Sequence, residues 1–99
     1  MDIQITQAEN ETVFALSGRL DTVTAPQLQA ALLPAFEQAT SITLDLNEIV
    51  YLSSAGLRVL LLAQKTAQAK GAALRLTRVC PEVMEVFVMT GFSDMLTIL

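Results

Sequence analysis

Apolar and polar positions follow two different periods along this chain, and each change of period marks a boundary. From Asp2 to Thr6 the pattern alternates, with Ile3 and Ile5 apolar between polar neighbours. That two-residue period belongs to a half-exposed edge strand. Asn10–Glu11 reads as a turn. Val13 to Leu16 is continuously apolar, which predicts a more buried strand paired with the first as a hairpin. Gly18-Arg19-Leu20-Asp21 reads as the loop after it. Helical spacing then begins, with Leu28, Leu32, Ala35, Phe36 and Ala39 on one stripe. Thr24 and Gln27 form a T-x-x-Q capping box, and Pro26 suits a first turn. Pro34 falls inside this stripe, where it removes a hydrogen bond and clashes with the preceding turn. The spacing therefore predicts a kink, or two short helices, before Thr40–Ser41 ends the element.

The central stretch is LDLNEIVYLSSAGLRVLLLA, Leu44 to Ala63. Ile42, Leu44 and Leu46 alternate with Thr43 and Asp45 as a strand, and Asn47 to Leu52 reads as a loop. A helix follows from Ser54 to Lys70, closed by Gly71, with Lys65 and Lys70 near the negative end of its dipole. Leu57, Leu60, Leu61, Gln64 and Ala67 make one face. Val59, Leu62 and Ala63 add apolar surface beyond it, either buried between neighbours or presented to a partner. Leu74 and Leu76 give a fourth strand. Pro81 opens a helix through Val83, Met84, Val86, Phe87 and Val88 that Gly91 stops. The apolar tail of Phe92, Met95, Leu96 and Leu99 is expected as a short helical turn and an extended end. The order β-β-α-β-α-β-α predicts a single α/β domain over residues 1–99. Its four-stranded mixed sheet starts with an antiparallel hairpin and continues in parallel, with three to four helices and one less covered face.

Composition narrows the chemistry. Of the 99 residues 53% are hydrophobic, enough for one core without staples. Ten acidic residues against six basic give a net charge of −4, which argues against nucleic acid and against anionic lipid surfaces as partners. The lone Cys80 excludes an internal disulfide and reads as a small packed residue. There is no histidine, so a Ser-His-Asp triad and a histidine phosphorelay are excluded. No phosphate-binding glycine loop, dinucleotide fingerprint or metal motif occurs, and an enzyme or a bound cofactor is not expected. MDIQITQ has neither a basic start nor an apolar core of signal length, and the longest apolar run, Val59 to Ala63, is far too short to span a membrane. A cytoplasmic protein with no direct membrane insertion is expected.

Chemistry concentrates at Ser53–Ser54. Helix starts carry backbone N–H groups without internal partners, and a serine caps them. The same donors and the helix dipole favour an added phosphate. Local chemistry leaves both roles open, a plain cap or a modifiable serine. Gly56 in the first turn costs roughly 1 kcal/mol of helix propensity, which asks for a close neighbour at the helix start.

Two segments, GRLDTVTAPQL (Gly18 to Leu28) and LDLNEIVYLSSAGLRVLL (Leu44 to Leu62), resemble the STAS domain of anti-sigma factor antagonists and sulfate transporter tails. Element order and length match nearly the whole chain. The resemblance implies a domain that binds an anti-sigma factor serine kinase and thereby releases a sigma factor. Phosphorylation of a serine at the start of the second main helix ends the interaction, and a metal-dependent PP2C-type phosphatase restores it. The family segment often reads Asp-Ser-Ser-Gly-Leu with its first serine modified. Aligned on Gly56-Leu57, that serine is Ser54, while Ser53 and Ala55 replace the flanking Asp and Ser. Asp21 matches a family loop near the modified serine. Partner contacts are thus expected at Asp21, Ser53, Ser54, Ala55, Gly56, Leu57 and Arg58. The alternative is a STAS structural subunit of a membrane-associated ABC complex of the lipid-transport type, in which Ser54 is only a cap.

Overall fold

A computed structural model describes every residue from Met1 to Leu99. The strands are β1 (Asp2–Ala8), β2 (Glu11–Leu20), β3 (Ser41–Leu52), β4 (Ala73–Thr77) and β5 (Thr97–Ile98). The helices are α1 (Ala25–Leu32), α2 (Ser54–Lys70) and α3 (Pro81–Thr90), with 3-10 turns at Leu33–Glu37 and Phe92–Asp94. The strands lie side by side in chain order; β1–β2 is antiparallel and every later pair is parallel.

This corrects the expected sheet of four strands. The apolar tail does make a helical turn and an extended end, but the extended end joins the sheet. Arg75 pairs with Thr97 and Leu76 with Ile98, and the Leu99 N–H donates to the Leu76 carbonyl at 2.8 Å. Two residues are too few to show a period. They gain strand geometry only because β4 would otherwise expose its backbone edge.

The second correction concerns Asn47 to Leu52, which is the second half of β3 rather than a loop. Up to Leu46 every second residue is buried; beyond it burial falls on Ile49 and Leu52. The cause lies in the pairing with β2, whose register shifts between Ala15 and Ser17 and again between Gly18 and Arg19. These bulges re-aim the side chains and destroy the alternation that marks a strand. Likewise β2 continues through Gly18 and Arg19 to Leu20, where a loop was expected.

Pro34 divides its helical stretch as expected, into α1 and the 3-10 turn that follows. The Thr24–Gln27 capping box does not form. Gln27 Nε2 donates to the Met1 carbonyl at 3.0 Å, and the Thr24 N–H is taken by Asp21 Oδ1.

One contiguous core fills the space between the sheet and the helices. It includes Phe14, Leu16 and Leu20 of β2, Leu44, Leu46 and Leu52 of β3, Leu57 and Leu60 of α2, and Phe87 of α3. The opposite face of the sheet is polar: Arg75 bridges Glu11 (3.3 Å) and Ser41 (3.0 Å) across three strands. It is thus the less covered face that alternation predicted.

Candidate functional site

The carboxyl ends of β2 and β3 converge on the first turn of α2. Leu20 and Leu52 are register partners, and the Ser53 N–H donates to the Leu20 carbonyl at 2.9 Å. Asp21 and Ser53 therefore leave adjacent strands side by side. The two segments singled out in the sequence, fifteen residues apart, meet through this parallel pairing.

Within the Ser-Ser pair the two possible roles fall on different residues. Ser53 has extended backbone, and its Oγ accepts from the Gly56 N–H at 3.3 Å. Its carbonyl accepts the first intrahelical bond, from Leu57 at 3.0 Å. Ser53 is the N-cap. Ser54 is the first residue of α2 and is exposed. Its hydroxyl has no hydrogen-bond partner within the protein, because Ser53 already serves the orphan donor that a cap would take.

Gly56 has the close neighbour that its position called for. A Cβ there would lie 2.6 Å from Leu20 Cγ, 2.8 Å from Leu52 Cδ1 and 3.0 Å from the Leu20 carbonyl oxygen. Only a glycine lets the helix start sit against the two strand ends. Leu57 is buried below it and Ala55 is half-buried. Asp21, Ser53, Ser54, Ala55 and Arg58 thus make the accessible part of the expected site, while Gly56 and Leu57 shape it from the core side. Arg58 lies one turn beyond Ser54 on the same helix face and is exposed.

Asp21 is held by the loop that follows it. Its Oδ1 accepts from the N–H groups of Val23 (3.0 Å) and Thr24 (3.1 Å). The Thr24 hydroxyl donates to the Arg19 carbonyl at 2.6 Å and accepts from the Asp21 N–H at 2.9 Å. The Thr24 N–H bond is the leading cause that holds the Asp21 carboxyl below the ordinary carboxylate range. Asp21 is therefore a fixed anion at neutral pH.

Four more residues rim the site without having stood out in the sequence. Arg19 stacks over the Tyr51 ring at 4.0 Å and pairs with Asp21 at 3.5 Å. Val23 is 84% and Val50 68% exposed. Read as loop residues, Val50 and Tyr51 gave no signal; once β3 runs to Leu52, its bulged end turns them outward. No cluster of three or more His, Cys, Asp or Glu side chains could hold a metal ion, and no helix is long and apolar enough to cross a membrane.

Comparison with known proteins gives consistent matches. The family model described as "Mlab, STAS domain" matches residues 3–98. The anti-sigma-B factor antagonist of Bacillus subtilis is 28% identical over 98 residues, which cover 99% of this chain and 90% of the relative. Among solved structures, the anti-sigma factor antagonist SpoIIAA in its unphosphorylated form superposes with a TM-score of 0.84 at 21% identity, over 99% of this chain and 88% of the other. The phosphorylated form of the Bacillus cell fate determinant SpoIIAA gives 0.78 at 20% identity, over 99% and 91%. At such identity the two superpositions establish the fold.

Proposed function

The chain belongs to the STAS domain family, and we propose that within it this protein is an anti-sigma factor antagonist switched off by phosphorylation of Ser54. Its partners on this reading are an anti-sigma factor that is also a serine kinase, and a PP2C-type phosphatase that resets it. The observation that carries the reading is the division of labour at the helix start. Ser53 caps α2, and the Ser54 hydroxyl is exposed and unengaged. A kinase can take that hydroxyl without dismantling the cap.

The physics of the switch is local. A phosphoserine adds about −1.5 to −2 charge at pH 7. Within the domain the helix N-terminus tolerates it, with roughly 0.3–1 kcal/mol of help from the dipole. Arg58 stands one turn away to pair with it. At a docked interface the same charge must be desolvated or meet like charge. A hundredfold loss of affinity needs only about 2.8 kcal/mol, so no change of fold is required.

Intact-mass spectrometry of protein from its native cells, with fragmentation to locate any phosphate, tests the site. Phosphate on Ser54, kinase binding lost in Ser54→Asp and binding by Ser54→Ala that ATP no longer reverses are expected. Phosphate on Ser53 instead would keep the switch and move its site. No phosphate under any growth condition, together with co-purification with a membrane ABC complex, would replace the reading by that of a structural subunit.

A further inference from the structure

Of the six cationic side chains, four are already paired: Arg19 with Asp21, Lys70 with Glu37, Arg75 with Glu11 and Arg78 with Asp45. Arg58 and Lys65 have no carboxylate partner. Both lie on α2, which contains no acidic residue, beside α1, which contains no charged residue at all. In a chain of net charge −4 this is a local positive strip.

The strip borders an apolar groove. Ser54, Arg58, Leu62 and Lys65 fall on one exposed stripe of α2, at helical spacings that keep them on one face. Leu62, between the two cations, is 38% exposed. Next to it a groove runs between the helices, lined by Ala25, Pro26 and Gln29 on one wall and by Ala55, Val59 and Leu62 on the other, with Arg58 at its rim.

We infer that the α1–α2 groove seats an acidic, amphipathic helical segment of the partner, its apolar side on Pro26, Ala55 and Leu62 and its carboxylates on Arg58 and Lys65. The inference rests on the function proposed above and specifies the chemistry of that partner. Seven residues of helix separate the two cations by roughly 10.5 Å along the axis, which a partner helix matches with carboxylates two turns apart. Neither wall carries a carboxylate for a basic segment to meet, and Asp21, next to the lining residue Thr22, is already paired with Arg19. The groove also supplies a mechanism for release. A phosphate on Ser54 takes Arg58 as its own partner and sets negative charge beside the acidic segment, so attraction is lost and repulsion gained at once.

The test uses the full isotope-labelled chain and two synthetic amphipathic peptides about 18 residues long. Both carry the same leucine stripe; one is flanked by Glu, the other by Lys. The Glu peptide is expected to shift the amide resonances of Ala55, Arg58, Val59, Leu62 and Lys65 saturably, and the Lys peptide is not. The double variant Arg58→Glu/Lys65→Glu, checked for folding by circular dichroism, should weaken Glu-peptide binding roughly tenfold or more. Equal binding of both peptides, shifts centred elsewhere, or no saturable shift overturns the inference. The kinase that modifies Ser54 then separates the two readings. If it binds the double variant like wild type yet loses Ser54→Asp, the groove is refuted and the proposed function stands. If it never binds the wild-type chain, the proposed function fails while the peptide result still decides the groove.

Discussion

Two neighbouring serines at one helix start do different work, and the difference can be measured as stability. Ser53→Ala removes the cap bond to the Gly56 N–H and should cost about 1 kcal/mol. Ser54→Ala removes an exposed hydroxyl without partners and should stay within about 0.5 kcal/mol of wild type. Urea titrations of both variants check this; a larger loss at Ser54 would mean that the cap is misassigned. Gly56→Ala gives a sharper case. Helix propensity alone predicts a gain of up to roughly 1 kcal/mol. The new methyl group would instead press on the Leu20 side chain and carbonyl and on Leu52, an overpacking cost of about 1–3 kcal/mol. Net destabilisation is expected; a more stable variant would show that the strand ends yield easily.

Among the elements, β3 was the hardest to read. Its first half announces itself by alternation, because it pairs in unbroken register with β4. Its second half carries one extra residue against β2 at each of the two register shifts, and these bulges break the two-residue period. Thr24 is the N-cap residue of α1 as its type suggests, but its capping box with Gln27 does not form, because Asp21 and Met1 offered nearer partners. The base of β3 is tied to the start of the connection into α3 by Asp45, which accepts from both Nε and a terminal nitrogen of Arg78. That guanidinium is the chief cause of the lowered Asp45 carboxyl. A carboxyl lowered in the folded state stabilises fully above its ordinary value of 3.8 and loses that contribution as pH falls through the lower folded value. Asp45→Asn should therefore be less stable than wild type at pH 7, with the difference shrinking below about pH 4. Thermal melts across that range check it; a constant difference would remove the ion pair as its source.

At the scale of the whole molecule, the switch on this reading is an added charge on an unchanged scaffold. Ser54→Asp should leave the circular dichroism spectrum unchanged and the melting temperature within a few degrees of wild type, while kinase binding falls by about a hundredfold. A collapse of the melting temperature would mean that binding is lost through unfolding. The sequence by itself determined the α/β order, the three helices, the Pro34 break and the Ser-Ser-x-Gly start of α2, because period, caps and breakers act within a few residues. Tertiary structure alone decided the fifth strand, the true length of β3, which serine caps and which stays free, and the outward turn of Val50 and Tyr51. Each of these depends on a neighbour distant in sequence: the open edge of β4, the pairing of a bulged β3 with β2, or the Leu20 carbonyl that fixes Ser53. A local pattern carries no record of a partner that pairing brings from elsewhere in the chain.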